Sequence, residues 1–381
     1  MSISYIRESV KLRLWGRAGG RCEYDGCNNR LWLDSLTKAE FNAAYIAHIV
    51  ADSPGGPRGD PILSEQLKAD ISNLMLLCDS HHRLVDKVEV GLHPAERLAA
   101  MKKAHEQRLD VLTSITAEKQ SHILIYGSNI GLQNAKISYG GAMRAMVPER
   151  YPAEVVPLSL GLKNSSFEDR SAEFWSIESE QLRSMFRASV RPRLRAGDIS
   201  HLSIFALAPQ PLLILLGTLL SDIPAADVYQ LHREPPGWCW EAQPEQFEYV
   251  LEEPESSKGI PVLIFALSAT VTDARIHSTL GEDVSIWRVT IPDPHNDFLK
   301  SRAQANAFRQ TVRRVMDRIK ARHGEQANIR VFPAMPVALA VEFGRLLMPK
   351  ADLPLEIYDE NKVLGGFVRV LEINGHLKGT I

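Results

Sequence analysis

Short apolar runs alternate with longer amphipathic stretches through the C-terminal two thirds of the chain. Runs rich in Ile, Leu, Val and Phe predict buried strands at 122–126, 199–207, 226–230, 260–267, 284–289, 329–332 and 355–358. Helical patterns lie between them, at 172–190, 212–220, 295–323 and 337–347. Short strands that alternate with helices are typical of an α/β domain with a largely parallel sheet.

The same region contains an internal repeat. The segment Phe205-Ala-Leu-Ala-Pro209 is matched by Phe332-Pro-Ala-Met-Pro336. In both copies a Gly-x-Leu-Leu element and a strand that ends in Tyr follow the last residue of this segment, Pro209 or Pro336. The shared order of strand, Pro, apolar helix and strand predicts two related α/β units in tandem.

The repeat also predicts where a ligand would bind. Ligands of open α/β sheets bind beyond the carboxyl ends of the strands, close to helix N-termini. A proline at a helix start is also common without any ligand, so packing is the alternative reading. The candidate ligand-binding residues at these positions are Pro209, Gln210, Ser268, Ala269, Thr270, Met335 and Pro336.

The first ninety residues have a different character, because their cysteines and histidines fall at metal-binding spacings. Cys22 and Cys27 form one short clip, and Cys78 and His81 form a second clip after a long insertion. Two clips joined by a loop are typical of tetrahedral zinc, which takes Cys and His ligands. His82 is the alternative to His81, and the spacing favours His81.

Chain length and the distribution of polar residues indicate how many domains to expect. At 381 residues the chain is expected to form two or three domains of roughly 150 residues each. The polar segment 113–121 is predicted to be a linker between a domain at 1–112 and a domain at 122–381.

Net charge, apolar runs and cysteine count set the expected class of protein. The 45% hydrophobic and 24% charged content is that of a globular protein, and the net charge of −2 does not by itself indicate a nucleic-acid binder. No apolar run is long enough for a membrane helix and the start lacks a signal-peptide core, so we expect a cytoplasmic protein without a membrane partner. Four cysteines in this context favour metal binding over disulfides, with Cys239 expected to be a buried apolar residue.

The N-terminal motifs resemble those of HNH nucleases. The resemblance lies in Ala47-His48-Ile, in Asn73-Leu-x-x-Leu-Cys78 and in His81-His82-Arg, with Cys-x4-Cys upstream. It implies a ββα-metal fold in which two strands and a helix hold one divalent ion. By the same resemblance His48 would be the general base, Asn73 would hold the His48 loop, and His82 would bind Mg²⁺ or a similar ion.

One position departs from the HNH pattern. Many HNH sequences carry a metal-binding acid immediately before the base histidine, and here that position is Ala47. Mg²⁺ prefers oxygen ligands, so a carboxylate is expected elsewhere. Asp86, four residues after His82 on the same helix face, is the first candidate, and Asp52 is another.

The whole chain resembles the HNH–SAVED effectors of bacterial CBASS anti-phage systems. Besides the HNH motif, the resemblance rests on Phe205-Ala-Leu-Ala-Pro-Gln-Pro-Leu-Leu and on the later Gly344-Arg-Leu-Leu. SAVED domains look like two fused CARF-type, Rossmann-like units, which agrees with the repeat.

That resemblance implies a sensor coupled to a nuclease. A cyclic dinucleotide or trinucleotide, for example a cGAMP isomer, would bind the SAVED domain and drive homo-oligomerisation from dimer to tetramer. The assembled state would then cut double-stranded DNA. Such a ligand needs stacking surfaces and cations, for which Trp175 and Arg187 are candidates.

Two other functions remain open at this point. The chain could be a zinc-knuckle DNA-binding regulator with a nucleotide sensor and no catalysis. It could also be a modification-dependent HNH restriction enzyme in which residues 122–381 read DNA. No Walker A or Gly-x-Gly-x-x-Gly motif follows a strand, which argues against an NTPase or a dinucleotide oxidoreductase.

Overall fold

A computed structural model describes residues 5–131, 133, 136–162, 167–241 and 247–374 of the chain. The chain divides into two compact units, Met1–Thr116 and Ala117–Ile381. Within the described ranges, no helix is long and apolar enough to cross a membrane.

The first unit consists of short elements around a small core. Its helices and strands are α1 (Glu8–Arg17), β1 (Tyr45–His48), α2 (Leu63–Leu67), β2 (Leu74–Leu77), α3 (Asp79–Arg83) and α4 (Ala95–Thr113). Helix α1 buries Val10 and Leu14 on one face, as their helical spacing predicts. The two strands pair antiparallel with His48 opposite Leu74, and α3 follows β2 directly. The result is a ββα arrangement that puts His48 and α3 in one subdomain.

The second unit carries the remaining helices and strands. From the start of the unit to the middle these are β3 (Gln120–Gly127), α5 (Tyr139–Met146), β4 (Tyr151–Pro152), β5 (Leu158–Ser159), α6 (Ala172–Met185), α7 (Arg191–Ala196), β6 (Leu202–Leu207), α8 (Gln210–Leu220) and β7 (Ala226–Tyr229). The rest are β8 (Val250–Glu252), β9 (Ile260–Ala266), α9 (Asp273–Leu280), β10 (Val284–Thr290), α10 (Arg302–His323), β11 (Ile329–Ala334), α11 (Val337–Leu346), β12 (Leu355–Asn361) and β13 (Gly366–Ile373).

These strands form two sheets. The five-stranded sheet has the order β4-β3-β6-β7, with β5 also paired to β3, and all of its pairs are parallel. The six-stranded sheet has the order β13-β12-β11-β9-β10-β8. Its inner pairs are parallel, whereas β13 and β8 run antiparallel to their neighbours. The predicted α/β class is confirmed, with antiparallel edge strands that the apolar runs did not indicate.

Two local predictions need correction, and a third gains detail. The helix predicted from 295 begins at Arg302, because Ser301 and Gln304 form a capping box there. The helix predicted over 172–190 is confirmed over that range, with a π-helical turn from Phe186 to Val190. Cys239, predicted to be buried, is exposed.

The two copies of the sequence repeat form equivalent structures. Phe205 stacks on Tyr229 with ring centroids 4.4 Å apart, and Phe332 stacks on Tyr358 at 4.7 Å. Each copy contributes one apolar helix, α8 or α11, to a shared crossing. A Cβ on Gly217 would lie 2.1 Å from the Val341 carbonyl oxygen, so only glycine allows this approach.

Candidate metal centre and histidine site

Cys22, Cys27, Cys78 and His81 converge in the first unit. Their ligand atoms all lie within 4.8 Å of one another. The His81 Nδ1 atom is 3.6 Å from Cys22 Sγ and 3.2 Å from Cys78 Sγ. Tetrahedral zinc, with Zn–S near 2.3 Å and Zn–N near 2.0 Å, separates sulfur and nitrogen ligands by roughly 3.5 Å. The four side chains therefore fit a metal ion of this kind.

The surroundings of this Cys3His cluster orient its ligands. The ring of Tyr24 stacks on His81 with centroids 4.1 Å apart and planes 4° apart. The Cys78 amide donates to Cys22 Sγ over 3.4 Å. Burial raises the pKa of both Cys22 and Cys27, so the buried thiols favour the protonated form unless a cation stabilises their thiolates.

His48 is held in one tautomer. It ends β1, and its ring Nε2 lies 2.9 Å from the backbone oxygen of Lys68. A carbonyl oxygen only accepts, so Nε2 carries the proton and donates it. In the neutral ring this leaves the lone pair on Nδ1, which is the arrangement of a general base. The residue is 7% exposed.

Asn73 fixes both sides of the His48 pocket. Its Oδ1 accepts from the Val50 amide at 2.7 Å, and its Nδ2 donates to the Val50 oxygen at 2.8 Å and to the Leu67 oxygen at 3.3 Å. Val50 follows His48 by two residues, and Leu67 precedes the carbonyl that orients His48. The buried amide thus ties the two segments that determine the position of the imidazole.

His82 lies on the next helix, α3. Its Nε2 is 3.3 Å from Asp86 Oδ2, and its ring stacks on Tyr45 at 4.9 Å. Burial lowers the pKa of His82, with Asp86 opposing that effect. The neutral ring can therefore act as a metal ligand at neutral pH.

Arg58 is a residue of this site that the sequence did not reveal. Its guanidinium donates to Asp86 Oδ1 at 2.6 Å and to the carbonyl oxygens of Val85, Ile49 and His48 at 2.7, 2.8 and 3.1 Å. Only 7% of its side chain is exposed. Arg58 therefore joins the His48 strand to the segment that carries Asp86, and it forms an ion pair with one of the two Asp86 carboxylate oxygens.

The catalytic ion predicted from the sequence would have few protein donors. Across the described ranges, the Cys3His cluster is the one group of three or more Cys, His, Asp or Glu donors close enough to share an ion. His82 and Asp86 Oδ2, the oxygen that Arg58 does not contact, form a pair of possible ligands. Mg²⁺ commonly takes one or two carboxylates and keeps several waters, so such a pair fits it only with water or substrate oxygens as further ligands.

The predicted ligand-binding residues of the second unit are partly brought together. Gln210 Oε1 accepts from the Met335 amide at 3.2 Å, and the Ser268 amide donates to the Ala334 oxygen at 2.7 Å. The repeat thus joins the carboxyl ends of β9 and β11 to the start of α8. Of the predicted set, Pro209, Met335 and Pro336 are buried, whereas Gln210, Ser268, Ala269 and Thr270 reach the surface.

Trp175 and Arg187, the other two predicted ligand-binding residues, do not lie beside the start of α8. Trp175 is 6% exposed, belongs to the main core and donates from Nε1 to the Asp169 oxygen at 3.0 Å. Arg187 lines a groove next to the C-terminal turn of α8. Gln210 begins that helix, so Arg187 is separated from it by the helix length, roughly 15 Å.

A match between the second unit and a protein-family model shows the family of the chain. The family model of the SMODS-associated and fused to various effectors sensor domain, SAVED, matches residues 182–373, just over half of the chain. The chain belongs to the SAVED family. The matched range begins in α6 and includes both copies of the repeat. No curated protein sequence gives a significant match.

Solved structures with a partial likeness to the chain are Cap4 receptors that contain SAVED/CARF domains. The Acinetobacter baumannii receptor with the cyclic trinucleotide 2′3′3′-cAAA has a TM-score of 0.44 and 13% identity, over 73% of this chain and 60% of that chain. The same receptor with 3′3′3′-cAAA has a TM-score of 0.45 at the same identity and coverage. For the Moraxella osloensis receptor the TM-score is 0.38 and the identity 12%, over 72% and 54% of the two chains. The chain therefore spans about 60% or less of these receptors.

The SAVED domain contains a cavity at the carboxyl ends of β9 and β10. Its volume is about 550 Å³, and Thr270 and Arg288 are among its lining residues. The Arg288 guanidinium pairs with Glu252 and Asp273 at the rim. Thr270 is thus a predicted ligand residue that lines a cavity of nucleotide-compatible size.

Proposed function

We propose that this chain is a cyclic-oligonucleotide-activated DNA endonuclease of anti-phage defence. In this proposal the SAVED domain is the sensor, and the first unit is an HNH nuclease stabilised by zinc in its Cys3His cluster. The observation that carries the nuclease assignment is His48, whose Nε2–H is fixed by the Lys68 carbonyl so that Nδ1 is the basic atom. The ββα order of β1, β2 and α3 around it supports the same assignment.

In the proposed reaction His48 activates water. Its Nδ1 takes the proton as the water oxygen forms a bond to phosphorus, and the bond from phosphorus to the leaving oxygen of the strand breaks. The Lys68 carbonyl stabilises the imidazolium that results, and the Asn73 amide keeps both segments in place. A divalent ion held by His82 and Asp86 would supply positive charge where negative charge develops on the phosphate.

The sensor is proposed to control the nuclease through assembly. A nuclease that cuts without control would damage its own genome, so the inactive state must predominate without ligand. Moving the active state from ~1% to ~99% requires about 5.5 kcal/mol of preferential ligand binding. Base stacking together with phosphate contacts from more than one subunit could supply that difference.

Cleavage of supercoiled plasmid tests the proposal. The full chain is incubated with Mg²⁺ and a panel of cyclic dinucleotides and trinucleotides that includes 2′3′3′-cAAA and 3′3′3′-cAAA, with binding measured separately by calorimetry. We expect one panel member to bind and to start cleavage. Binding without cleavage would refute the nuclease, and cleavage of modified DNA with no nucleotide present would favour the restriction enzyme.

A non-catalytic DNA-binding regulator is the second candidate. The observations that favour it are Ala47 at the position of the expected acid and the occupation of Asp86 by Arg58. Such a protein would bind DNA in the presence of ligand, with no cleavage under any ion. The plasmid assay, repeated with Mn²⁺ in place of Mg²⁺, separates this function from the nuclease.

A further inference from the structure

A row of arginines lines a groove in the second unit. The groove has a volume of about 630 Å³ and lies between the helical segment that contains α6 and α7 and the last turn of α8. Arg183, Arg187, Arg191 and Arg195 all line it, at steps of four residues. Twelve residues of helix extend over roughly 18 Å, so the row is long relative to a single anion.

These arginines have few acidic partners. Within the described part of the chain their one ion pair joins Arg187 to Glu180 at 2.8 Å, and both of those side chains are more than half exposed. An exposed pair of this kind is weak. By contrast Arg193, which belongs to the same helical segment but does not line the groove, pairs with Glu154 at 2.7 Å. The segment thus neutralises the arginine outside the groove and leaves net positive charge inside it.

The opposite wall offers no substitute for an anion. The carbonyl oxygens of Ser221 and Pro224 there accept from Arg345 at 3.2 and 3.0 Å, so they are already engaged. Thr218 on that wall donates its hydroxyl to the Ile214 oxygen at 3.0 Å. The remaining lining residues there are apolar, and Ile223 is 88% exposed. The negative end of the α8 dipole would favour one cation at its last turn, which does not account for four.

Partial burial adds to the need for an anionic partner. Burial lowers the pKa of Arg183, whose charged form is therefore disfavoured where it stands. Arginine remains charged in proteins, so a half-buried guanidinium in a groove of like charges is stabilised by a bound anion.

We propose that this arginine groove binds the phosphodiester backbone of DNA, at a site distinct from the cyclic-nucleotide pocket. Guanidinium groups bind phosphate through two parallel hydrogen bonds. At 3.4 Å of axis per phosphate, a row of roughly 18 Å can face about five phosphates of one strand. A cyclic dinucleotide or trinucleotide offers two or three phosphates in a compact ring. The choice of DNA as the polymer rests on the proposed function, whereas the backbone site itself rests on the groove.

The test measures DNA binding without cleavage. The full chain carries His48→Ala throughout, and binding of a fluorescein-labelled 30-base-pair duplex is followed by anisotropy across a range of KCl concentrations. One variant adds Arg187→Gln, Arg191→Gln and Arg195→Gln. The matched variant adds Arg144→Gln, Arg233→Gln and Arg314→Gln, which are exposed arginines of the same unit that lie outside the groove and form no ion pair in the described structure.

Both variants change the net charge by the same amount, so they separate a site from general attraction. Each phosphate contact contributes about 0.9 to the slope of log affinity against log salt, so the groove variant should lose about 2.7 from its slope. We also expect affinity to fall about tenfold or more near 100 mM salt, with little change in the matched variant. Circular dichroism melting confirms that both variants are folded.

Four outcomes would overturn the proposal. Equal effects of the two variants would show general charge attraction. If the His48→Ala parent did not bind the duplex at all, DNA would not be the ligand of the groove. Displacement of the duplex by polyglutamate at equal charge concentration would indicate an acidic polypeptide as the ligand. Loss of 3′3′3′-cAAA binding in the groove variant, with DNA binding intact, would assign the groove to the sensor pocket. A failure of the proposed nuclease appears only in the plasmid assay, so the two failures are distinguishable.

Discussion

The crossing of α8 and α11 is the most demanding contact in the SAVED domain. Gly217 and Gly344 occupy equivalent repeat positions, and each backbone approaches the other helix where a side chain would stand. We consider Gly217→Ala, which adds one methyl group. Its Cβ would lie 2.1 Å from the Val341 oxygen and 2.8 Å from the Arg345 amide nitrogen.

The structure sets the size of the effect. An ordinary Cβ contact is 3.4–4 Å, so the two helices must move apart by about 1.3 Å to accept the methyl group. The atoms in the way are backbone and cannot rotate aside. Helix α8 buries eight residues, and separation weakens packing along that length. Overpacking costs about 1–3 kcal/mol and occasionally more, and we expect about 3 kcal/mol here.

Urea unfolding followed by circular dichroism measures this cost. Gly366→Ala is the matched control, because no atom lies within 4 Å of its Cβ, and its effect should stay within about 0.5 kcal/mol. Gly344→Ala should cost about as much as Gly217→Ala, since its Cβ would lie 2.0 Å from the Ile214 oxygen. Once the helices have separated, the second methyl group adds little, so the double variant should cost at least about 1 kcal/mol less than the sum of the single variants. A Gly217→Ala protein as stable as the control would refute the close crossing.

Three further predictions concern the metal centre, the buried arginine and a buried histidine. Cys78→Ser should abolish stoichiometric zinc binding, measured by mass spectrometry, and expose residues 1–116 to proteolysis, because metal binding and folding are coupled. The control Cys239→Ser, which changes an exposed cysteine, should do neither. Arg58→Gln leaves the Asp86 carboxylate without its cation, so it should lower the free energy of unfolding of the first unit by about 3–5 kcal/mol in urea titrations. A loss below about 1 kcal/mol would contradict the buried pairing. Burial lowers the pKa of His201 to about 4, below its unfolded value of 6.5, so its stabilising contribution is present above pH 6.5 and is lost as the pH falls towards 4. The wild-type protein should therefore lose about 3 kcal/mol more than His201→Gln between pH 7 and pH 4, and parallel pH profiles would contradict this.

The sequence predicted the strands that carry long apolar runs and missed those with mixed patterns. Strand β9 was predicted at 260–267 and is found at Ile260–Ala266, because a strand covered on both faces reads as a continuous apolar run. Strand β13 has the sequence Gly-Phe-Val-Arg-Val-Leu-Glu-Ile and lies at the edge of its sheet. An edge strand is covered less completely, so polar residues interrupt its pattern and it was not predicted.

The metal centre was easier to predict than its surroundings. The ligands of the Cys3His cluster come in two short clips, and local spacing alone constrains where their side chains can meet. Arg58 gave no such signal, since it lies in the Gly- and Pro-rich segment Pro54-Gly-Gly-Pro-Arg58-Gly, which composition assigns to a surface loop. Its partners Asp86 and Val85 come from a distant part of the sequence, and only the fold brings them to it.

Trp175 shows the limit of assigning ligand contacts by residue type. An aromatic side chain can stack on a base or fill a core, and its spacing with Phe174 and Leu182 on α6 does not distinguish these roles. The structure places all three in one core cluster, with the Trp175 indole nitrogen donating inward to the backbone of Asp169.

Ligand-dependent cleavage by a His48→Ala protein is the most direct test of the central claim. Wild-type protein, His48→Ala and the exposed control His295→Ala are each mixed with supercoiled plasmid, Mg²⁺ and the cyclic oligonucleotide that binds most tightly. Our account predicts that wild type and His295→Ala cut the plasmid only when the ligand is present. It predicts that His48→Ala binds the ligand with unchanged affinity and leaves the plasmid intact. Cleavage by His48→Ala at the wild-type rate would contradict the assignment of His48 as the base.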